Sequence, residues 1–471
     1  MLTIPTPNAS DAVSKNMAIA SLDDFLYGRA PRPINCGRGV EIGRGQVIPE
    51  INFTLPPIDI NPDTWSEIRQ QYSAIIAAIC KRSVELEVPA LLVEFETLPA
   101  MALRPQWTAE ITQILAETLR TYHEKHGLKG ALRLTPNDTR EFNRPPLMRR
   151  GKYWEGMVEV FNAAAQAGAD LIGIESTGGK EISDEAVANA DLRGVVFALG
   201  VLGARDMEFL WKEIVAACNK SGIVPSGDTA CGFANTAMIL ADQKFIPKVF
   251  AAVVRVASVP RSLVAYEAGA VGPSKDCAYE GPYMKAIAGV SISMEGRTAA
   301  CAHLSHIGNI AQAVCDCWSN ESVQNVRLLS AHAPTVYLEQ LAYDCRLMNT
   351  ASAHSDNDAR RLRDWLVESD ARLDPQAWVL RPDVVLRISR KIMEEGSPYL
   401  RTRRAVLAAI EEMKQARQAG ELKIAARELR WLAMLEEQAA ELPASEEKFY
   451  EEMSNTPGAA KFLPQEYGLD R

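Results

Sequence analysis

Glu175, Cys231 and Cys277 are the residues of this chain whose types and placement point to chemistry. Each falls just past an apolar, β-rich run, in AGADLIGIEST, SGIVPSGDTACGF and SLVAYEAGAVGPSKDCAYEG. In a barrel of parallel strands the loops beyond the strand ends converge on one mouth, so ligands distant in sequence can meet around one ion. Two thiolates and a carboxylate suit Zn²⁺, whereas Mg²⁺ and Ca²⁺ want oxygen throughout. Three protein ligands leave the fourth tetrahedral position for water or substrate, where a structural site is closed by four. The expectation is a catalytic zinc. With three anionic donors the ion carries one net negative charge and is a mild Lewis acid, which suits breaking the carbon–oxygen bond of an alcohol or ether. Without a metal, the same residues read as two unrelated buried thiols and a carboxylate paired with a cation such as Lys180. Spacing alone leaves both readings open, because no short CxxC-type signature links the three.

The elements that must position these residues alternate β-rich runs with amphipathic segments. Eight runs stand out: Ile51–Leu55, Leu91–Glu96, Ala131–Leu134, Asp170–Glu175, Val195–Gly200, Ile223–Gly227, Leu263–Glu267 and Val290–Met294. Between them, TWSEIRQQYSAIIAAICKRSVEL and KYWEGMVEVFNAAAQAG repeat apolar residues at three and four spacing, as helices packed on a sheet do. The fold expected is an α/β TIM (β/α)8 barrel over residues 51–350. An irregular N-terminal extension, 1–50, precedes it, with GRGVEIGRGQVIPEINF as short extended pieces joined by glycine turns. A C-terminal helical region, 351–471, follows, its charged faces solvated and its apolar faces covering the barrel flank or a partner subunit.

With 471 residues, the chain is long enough for one barrel and substantial additions. A net charge of −9 argues against a general nucleic-acid binder. No apolar run reads as bilayer-spanning and the first residues lack the order of a signal peptide, so no membrane and a cytoplasmic location are expected. Nine cysteines without short spacings read as mostly free thiols of a reducing compartment, and Cys80 and Cys218, on apolar helix stripes, read as buried small hydrophobes. Cys301, His303, His306, Cys315 and Cys317 do not make a second cluster, since the two histidines are helix neighbours while Cys315 and Cys317 diverge. IESTGGK lacks Walker A spacing, and the leader glycines do not fit GxGxxG, so neither is read as a nucleotide site. Gly178 and Gly179 instead form a tight turn that aims Glu175 inward.

More specific than any spacing are the long words VEIGRGQVIPEINF, IESTGGKE, SGDTACGFANTAM, PRSLVAYEAGAVGPSKDCAYEG, SMEGRTAACAH, CDCWSNESV and LAYDCRLMNTA. Together, and in this order from about residue 20 to the C terminus, they resemble the zinc-containing methanol:corrinoid methyltransferases. That resemblance implies a TIM barrel whose zinc is held by Glu175, Cys231 and Cys277. It also implies activation of methanol for attack by the Co(I) of a corrinoid (cobalamin) on a separate protein, giving methyl-Co(III) and water, and a homodimer with corrinoid subunits attached. A nearby acid would protonate the departing oxygen. The candidates are Asp228, preferred because it lies at a strand end, and Asp276, Tyr279 and Glu280 around Cys277; Glu280 reads as structural, and Asp228 equally as a turn or capping residue. The stretch ACGFA departs from the family pattern, and Phe233 either lines the site or packs beneath the loop. In the first case a larger, methoxylated donor is the alternative to methanol. Met17 could also serve as the start, which leaves the translation of residues 1–16 open.

Overall fold

The run LLVEFE shows how this sequence builds its sheet. The structure, a computed structural model, describes residues 17–52, 58–275, 280–295, 327–328 and 331–469. Within it Leu91–Glu96 is a strand whose Leu91, Val93 and Phe95 pack with Ile68, Tyr72 and Ile76 of the helix Trp65–Glu85. Successive side chains point to opposite faces, so Leu92, Glu94 and Glu96 face the other way. Leu92 joins a second apolar cluster; the two carboxylates enter a polar network.

Among the described residues the strands, in chain order, are β1 (Arg29–Cys36), β2 (Val40–Arg44), β3 (Glu50–Asn52), β4 (Leu91–Glu96), β5 (Gly130–Thr135), β6 (Leu171–Ile174), β7 (Val224–Asp228), β8 (Ser274–Lys275), β9 (Ile292–Ser293), and the antiparallel pair β10 (Arg327–Leu328) and β11 (Ala331–His332). Strands β3 to β7 form one parallel sheet in sequence order, and β8 pairs with β9, also parallel. Backbone bonds outside these ladders link the two sheets. Val271 N donates to Pro225 O (2.8 Å) next to β7, and Met294 N donates to Ile48 O (2.8 Å) while Glu50 N donates to Met294 O (2.7 Å) next to β3. The α/β class with a parallel sheet is as expected, and six of the eight expected runs contain strands.

Two do not. Val195–Gly200 is helical, split between the helix Leu192–Phe197 and the π-helical turn Ala198–Gly203, and Leu263–Glu267 belongs to the helix Val259–Glu267. Both are buried on nearly every side, Glu267 alone of these residues staying partly exposed, and a helix packed all round loses the polar face that separates its period from a strand's. Start signals were nonetheless present: the Asp191 side chain accepts from Arg193 N, and Pro260 sits in a first helical turn. The short polar strand β8 escaped because Ser-Lys carries no β signal. Lys248–Glu267, across two helices, is long and apolar enough to cross a bilayer, contrary to expectation, but its apolar eighteen-residue stretch is wholly buried in the core.

The N-terminal extension is ordered where described. β1 and β2 form an antiparallel hairpin, whose Cys36, Val40 and Ile42 pack with Ile48, Leu92, Ala131, Leu171 and Val224. It closes one end of the sheet's inner face, so the polar network lies between this apolar floor and the strand C-terminal ends. The C-terminal helices share the main core. Val384, Val385 and Ile388 of Pro382–Met393, and Val406, Ala409 and Ile410 of Pro398–Gln418, cluster with Val249 to Val259, while Tyr283 donates to Val379 O (2.5 Å). Cys80 and Cys218 are fully buried, their thiols pushed up to about 12 by burial.

Lys285, on the helix Gly281–Ala288, is a buried ammonium that donates to Leu26 O and lies 5.5 Å from the centre of the Phe25 ring. Burial pulls its pKa from the usual 10.5 down to about 7. Between these values the unfolded chain binds the proton and the folded chain does not, so this site makes stability rise with pH from about 7 to about 10.5, by at most ~1.4 kcal/mol per unit. Lys285→Met is expected to be more stable than the parent at pH 7 and to lose that slope. Urea midpoints for both proteins across pH 6 to 10.5 check it; parallel curves would show that Lys285 does not titrate there.

Candidate metal centre

Glu175 follows β6 directly and bridges to Asn137 beyond β5. Its Oε1 accepts from Thr229 Oγ1 (3.2 Å), and 30 % of the side chain's surface stays open. Cys231, 4 % exposed and in no disulfide, is the first residue of the helix Cys231–Asp242, two residues after Thr229. The strand ends of β6 and β7 therefore bring these two expected ligands together. Cys277, Asp276 and Tyr279 lie outside the described residues, as do His303, His306, Cys301, Cys315 and Cys317.

The electrostatics mark a deficit of positive charge. Loss of hydration raises the Glu175 carboxyl well above the usual range, and Cys231 and Glu96 raise it further, against the opposing ammonium of Lys275 at 3.9 Å. Glu280 shares the effect: burial, then Cys231, pushes it up to about 7. A cation between Glu175 and Cys231 would offset these repulsions, so the two donors fit the metal reading. Lys180 does not neutralise Glu175; it pairs with Asp184 (2.6 Å).

Below Glu175 lies a charged layer that spacing did not reveal. Arg133 on β5 donates to both oxygens of Glu50 (2.6 and 3.0 Å) and to Pro273 O. Lys275 on β8 donates to both oxygens of Glu94 (2.9 Å each) and faces Glu295 at 3.8 Å. Carboxylate oxygens of Glu50, Glu94 and Glu295 lie within 4.8 Å of one another. That is ligand-like spacing, but two buried cations already occupy the space among them, so this layer is an ion-pair network rather than a second metal site. Its signal in the sequence was the alternation of Glu94 and Glu96 in an otherwise apolar strand.

The ligand loops are held from behind. Asp228, at the end of β7, accepts from Ser176 N (3.2 Å), Arg261 Nη1 (3.2 Å) and Trp211 Nε1 (3.5 Å). Burial raises its carboxyl despite the guanidinium, but its oxygens are committed to clamping the Glu175 loop. One Glu280 oxygen accepts from Ala230 N and Ser262 Oγ (2.6 Å each), tying the chain before Cys231 to the chain after Cys277. Phe233 is buried, 4.6 Å from the Arg261 guanidinium, and packs beneath the loop rather than lining the mouth. Gly179 has φ +81° and begins the helix Lys180–Ala188, while a Cβ on Gly178 would meet Asp206 at 2.4 Å, so the turn after Glu175 admits only glycine there.

With this geometry in place, comparison with known proteins decides the family. The family model of the methanol-cobalamin methyltransferase B subunit matches residues 12–468. The chain belongs to that family and is a methyltransferase. It is 38 % identical over 460 residues to a methanol–corrinoid protein co-methyltransferase of Methanosarcina barkeri, covering 96 % of this chain and 98 % of that protein. It also matches the crystal structure of the methanol:cobalamin methyltransferase complex MtaBC from Methanosarcina barkeri, with a TM-score of 0.88, 37 % identity, and coverage of 97 % and 99 % of the two chains. Asp228, Glu280, Glu94 and Lys275 in this methyltransferase are thus parts of one support around the Glu175–Cys231 pair.

Proposed function

We propose that this protein transfers the methyl group of methanol to the Co(I) of a corrinoid carried by a partner protein, giving methyl-Co(III) corrinoid and water, with zinc held by Glu175, Cys231 and Cys277. The observation that carries the reading is the near-full-length likeness to a methanol–corrinoid protein co-methyltransferase; the meeting of Glu175 and Cys231 at adjacent strand ends supports it. We also infer that the linked parallel strands act as a TIM barrel with its mouth at the strand C-terminal ends, supported by the backbone bonds at Val271, Met294 and Glu50.

When bound, zinc supplies a Lewis acid that polarises the carbon–oxygen bond of methanol. The chain's residues do the rest. Glu175 and Cys231 are held in place by Thr229, Asp228 and Glu280. The ion pairs of Glu50 with Arg133 and Glu94 with Lys275 fill the space beneath without an apolar lining. The balance of methanol, a proton and Co(I) against methyl-Co(III) and water requires a proton at the departing oxygen. With Asp228 committed to its clamp, the role falls to Asp276 or Tyr279, the remaining candidates beside Cys277. A packed Phe233 leaves the larger methoxylated donor without the residue that argued for it.

The test is anaerobic mixing of zinc-loaded protein with Co(I) cobalamin and methanol, following absorbance as Co(I) becomes methyl-Co(III). Expected is conversion that requires both methanol and zinc, and that returns when a chelated sample is reloaded. Conversion with a methoxylated donor but not with methanol, using the corrinoid protein as well as free cobalamin, would sink the substrate assignment.

A further inference from the structure

Arg261 lies on the helix Val259–Glu267 with no exposed surface, and a guanidinium offers no lone pair to a cation. It nevertheless reaches both loops that carry the described ligands. Nη2 donates to Ser176 O (2.8 Å) and to Ser176 Oγ (2.6 Å), one residue after Glu175. Nη1 donates to Asp228 Oδ1 (3.2 Å), three residues before Cys231. The guanidinium carbon is 4.6 Å from the ring centre of Phe233, two residues after Cys231. Asp228 Oδ2 accepts in turn from Ser176 N (3.2 Å), which closes a ring through both loops.

Only a planar fork does all of this at once. A lysine ammonium could reach one loop as a point charge but could not present a planar fork to Ser176 and Asp228 while lying over Phe233. The packing around it is shaped to match. The π-helical turn Ala198–Gly203 passes against the arginine stem, where a Cβ on Gly203 would stand 3.0 Å from Ala198 O, 3.1 Å from Arg261 Cδ and 3.3 Å from Nε. π-turns recur where a helix has been adjusted for function, and here the adjustment brings a glycine to the guanidinium's edge.

We propose that Arg261 is a positioning residue that fixes the separation of the Glu175 and Cys231 loops, so that the two donors are preorganised for the metal before it arrives. This rests on the zinc reading above. Residues that orient metal ligands without touching the metal typically change affinity by about 10–100-fold when replaced, and that is the range expected for Arg261→Lys. Gly203→Ala, which leaves the guanidinium's own atoms intact and crowds its stem together with Ala198 O, is expected to weaken binding by a few-fold.

The experiment measures zinc affinity by competition with a chromophoric chelator for the wild type, Cys231→Ser, Arg261→Lys and Gly203→Ala. Far-UV circular dichroism and thermal unfolding of the zinc-free proteins accompany it. Cobalt(II) replaces zinc in a parallel series, because thiolate-to-metal absorption reports donor geometry, which a loss of general stability would not alter in protein that remains folded. Expected are one tight site lost in Cys231→Ser, about 10–100-fold weaker binding in folded Arg261→Lys, and an altered cobalt spectrum. Wild-type affinity and spectrum in folded Arg261→Lys overturn the inference. Should that variant fail to fold, Gly203→Ala decides: unchanged affinity and spectrum overturn the inference, and weakened binding supports it. If the wild type binds no zinc, or Cys231→Ser binds it equally well, the zinc reading itself falls and this inference with it, a result distinct from one confined to Arg261.

Discussion

Cys231→Ala is expected to lower methanol-dependent consumption of Co(I) by at least about 10²-fold, since polarisation by a bound metal is worth several kcal/mol of transition-state stabilisation. The fold should survive. Cys231 begins a helix, where alanine is well tolerated, and the change removes a single sulfur atom. Anaerobic absorbance assays and urea unfolding of zinc-free protein read the two effects separately. Retained methyl transfer would remove Cys231 from the site, whereas lost transfer accompanied by unfolding would make it a packing residue.

How much of this was legible before the structure depends on where each residue sits. Glu175 and Cys231 follow strands with clear β-rich signals, so their placement at adjacent strand ends could be read directly. Val195–Gly200 and Val259–Glu267 could not, because burial on nearly every side removes the polar stripe that marks a helix. The extension was read as irregular since its glycines obscure a hairpin whose Cys36, Val40 and Ile42 are buried. The polar network was hidden for a different reason. Arg133, Lys275 and Arg261 are ordinary surface types in a sequence, and only the fold shows them buried against Glu50, Glu94 and Asp228. Asp228 illustrates the limit of strand-end reasoning. The position was right, but its oxygens are engaged by Ser176, Arg261 and Trp211, which no spacing reveals.

Behind the Glu175 loop a second buried arginine pairs with two carboxylates, and Arg140→Met is expected to cost about 3–5 kcal/mol of stability at pH 7. Arg140 is wholly buried and donates to both oxygens of Asp138 (2.8 and 2.7 Å), to both oxygens of Asp206 (2.8 and 2.9 Å) and to Met148 O (2.9 Å). Methionine fills similar space but leaves two buried carboxylates facing each other without the guanidinium that bonds both, Asp206 keeping only the weaker influence of Arg261. Burial works to raise the Asp138 carboxyl, yet Arg140 outweighs it and holds the group low, so its contribution to stability is present at neutral pH and fades as pH falls through that lowered value. In the variant burial and mutual repulsion raise both carboxyls, and acid relieves the strain by protonating them. The stability gap between parent and variant is therefore expected to narrow as pH falls from 7 toward 4. Because Asp138 Oδ2 also accepts from Thr177 N (2.8 Å) and Oγ1 (3.0 Å), two residues past Glu175, the variant should bind zinc more weakly as well. Urea unfolding across that pH range tests the first claim. A loss below ~1 kcal/mol at pH 7, or a gap that widens in acid, would mean the two aspartates do not depend on the guanidinium. Adding Asp206→Asn to Arg140→Met should recover part of the loss, since it removes one of the two facing charges while keeping its shape.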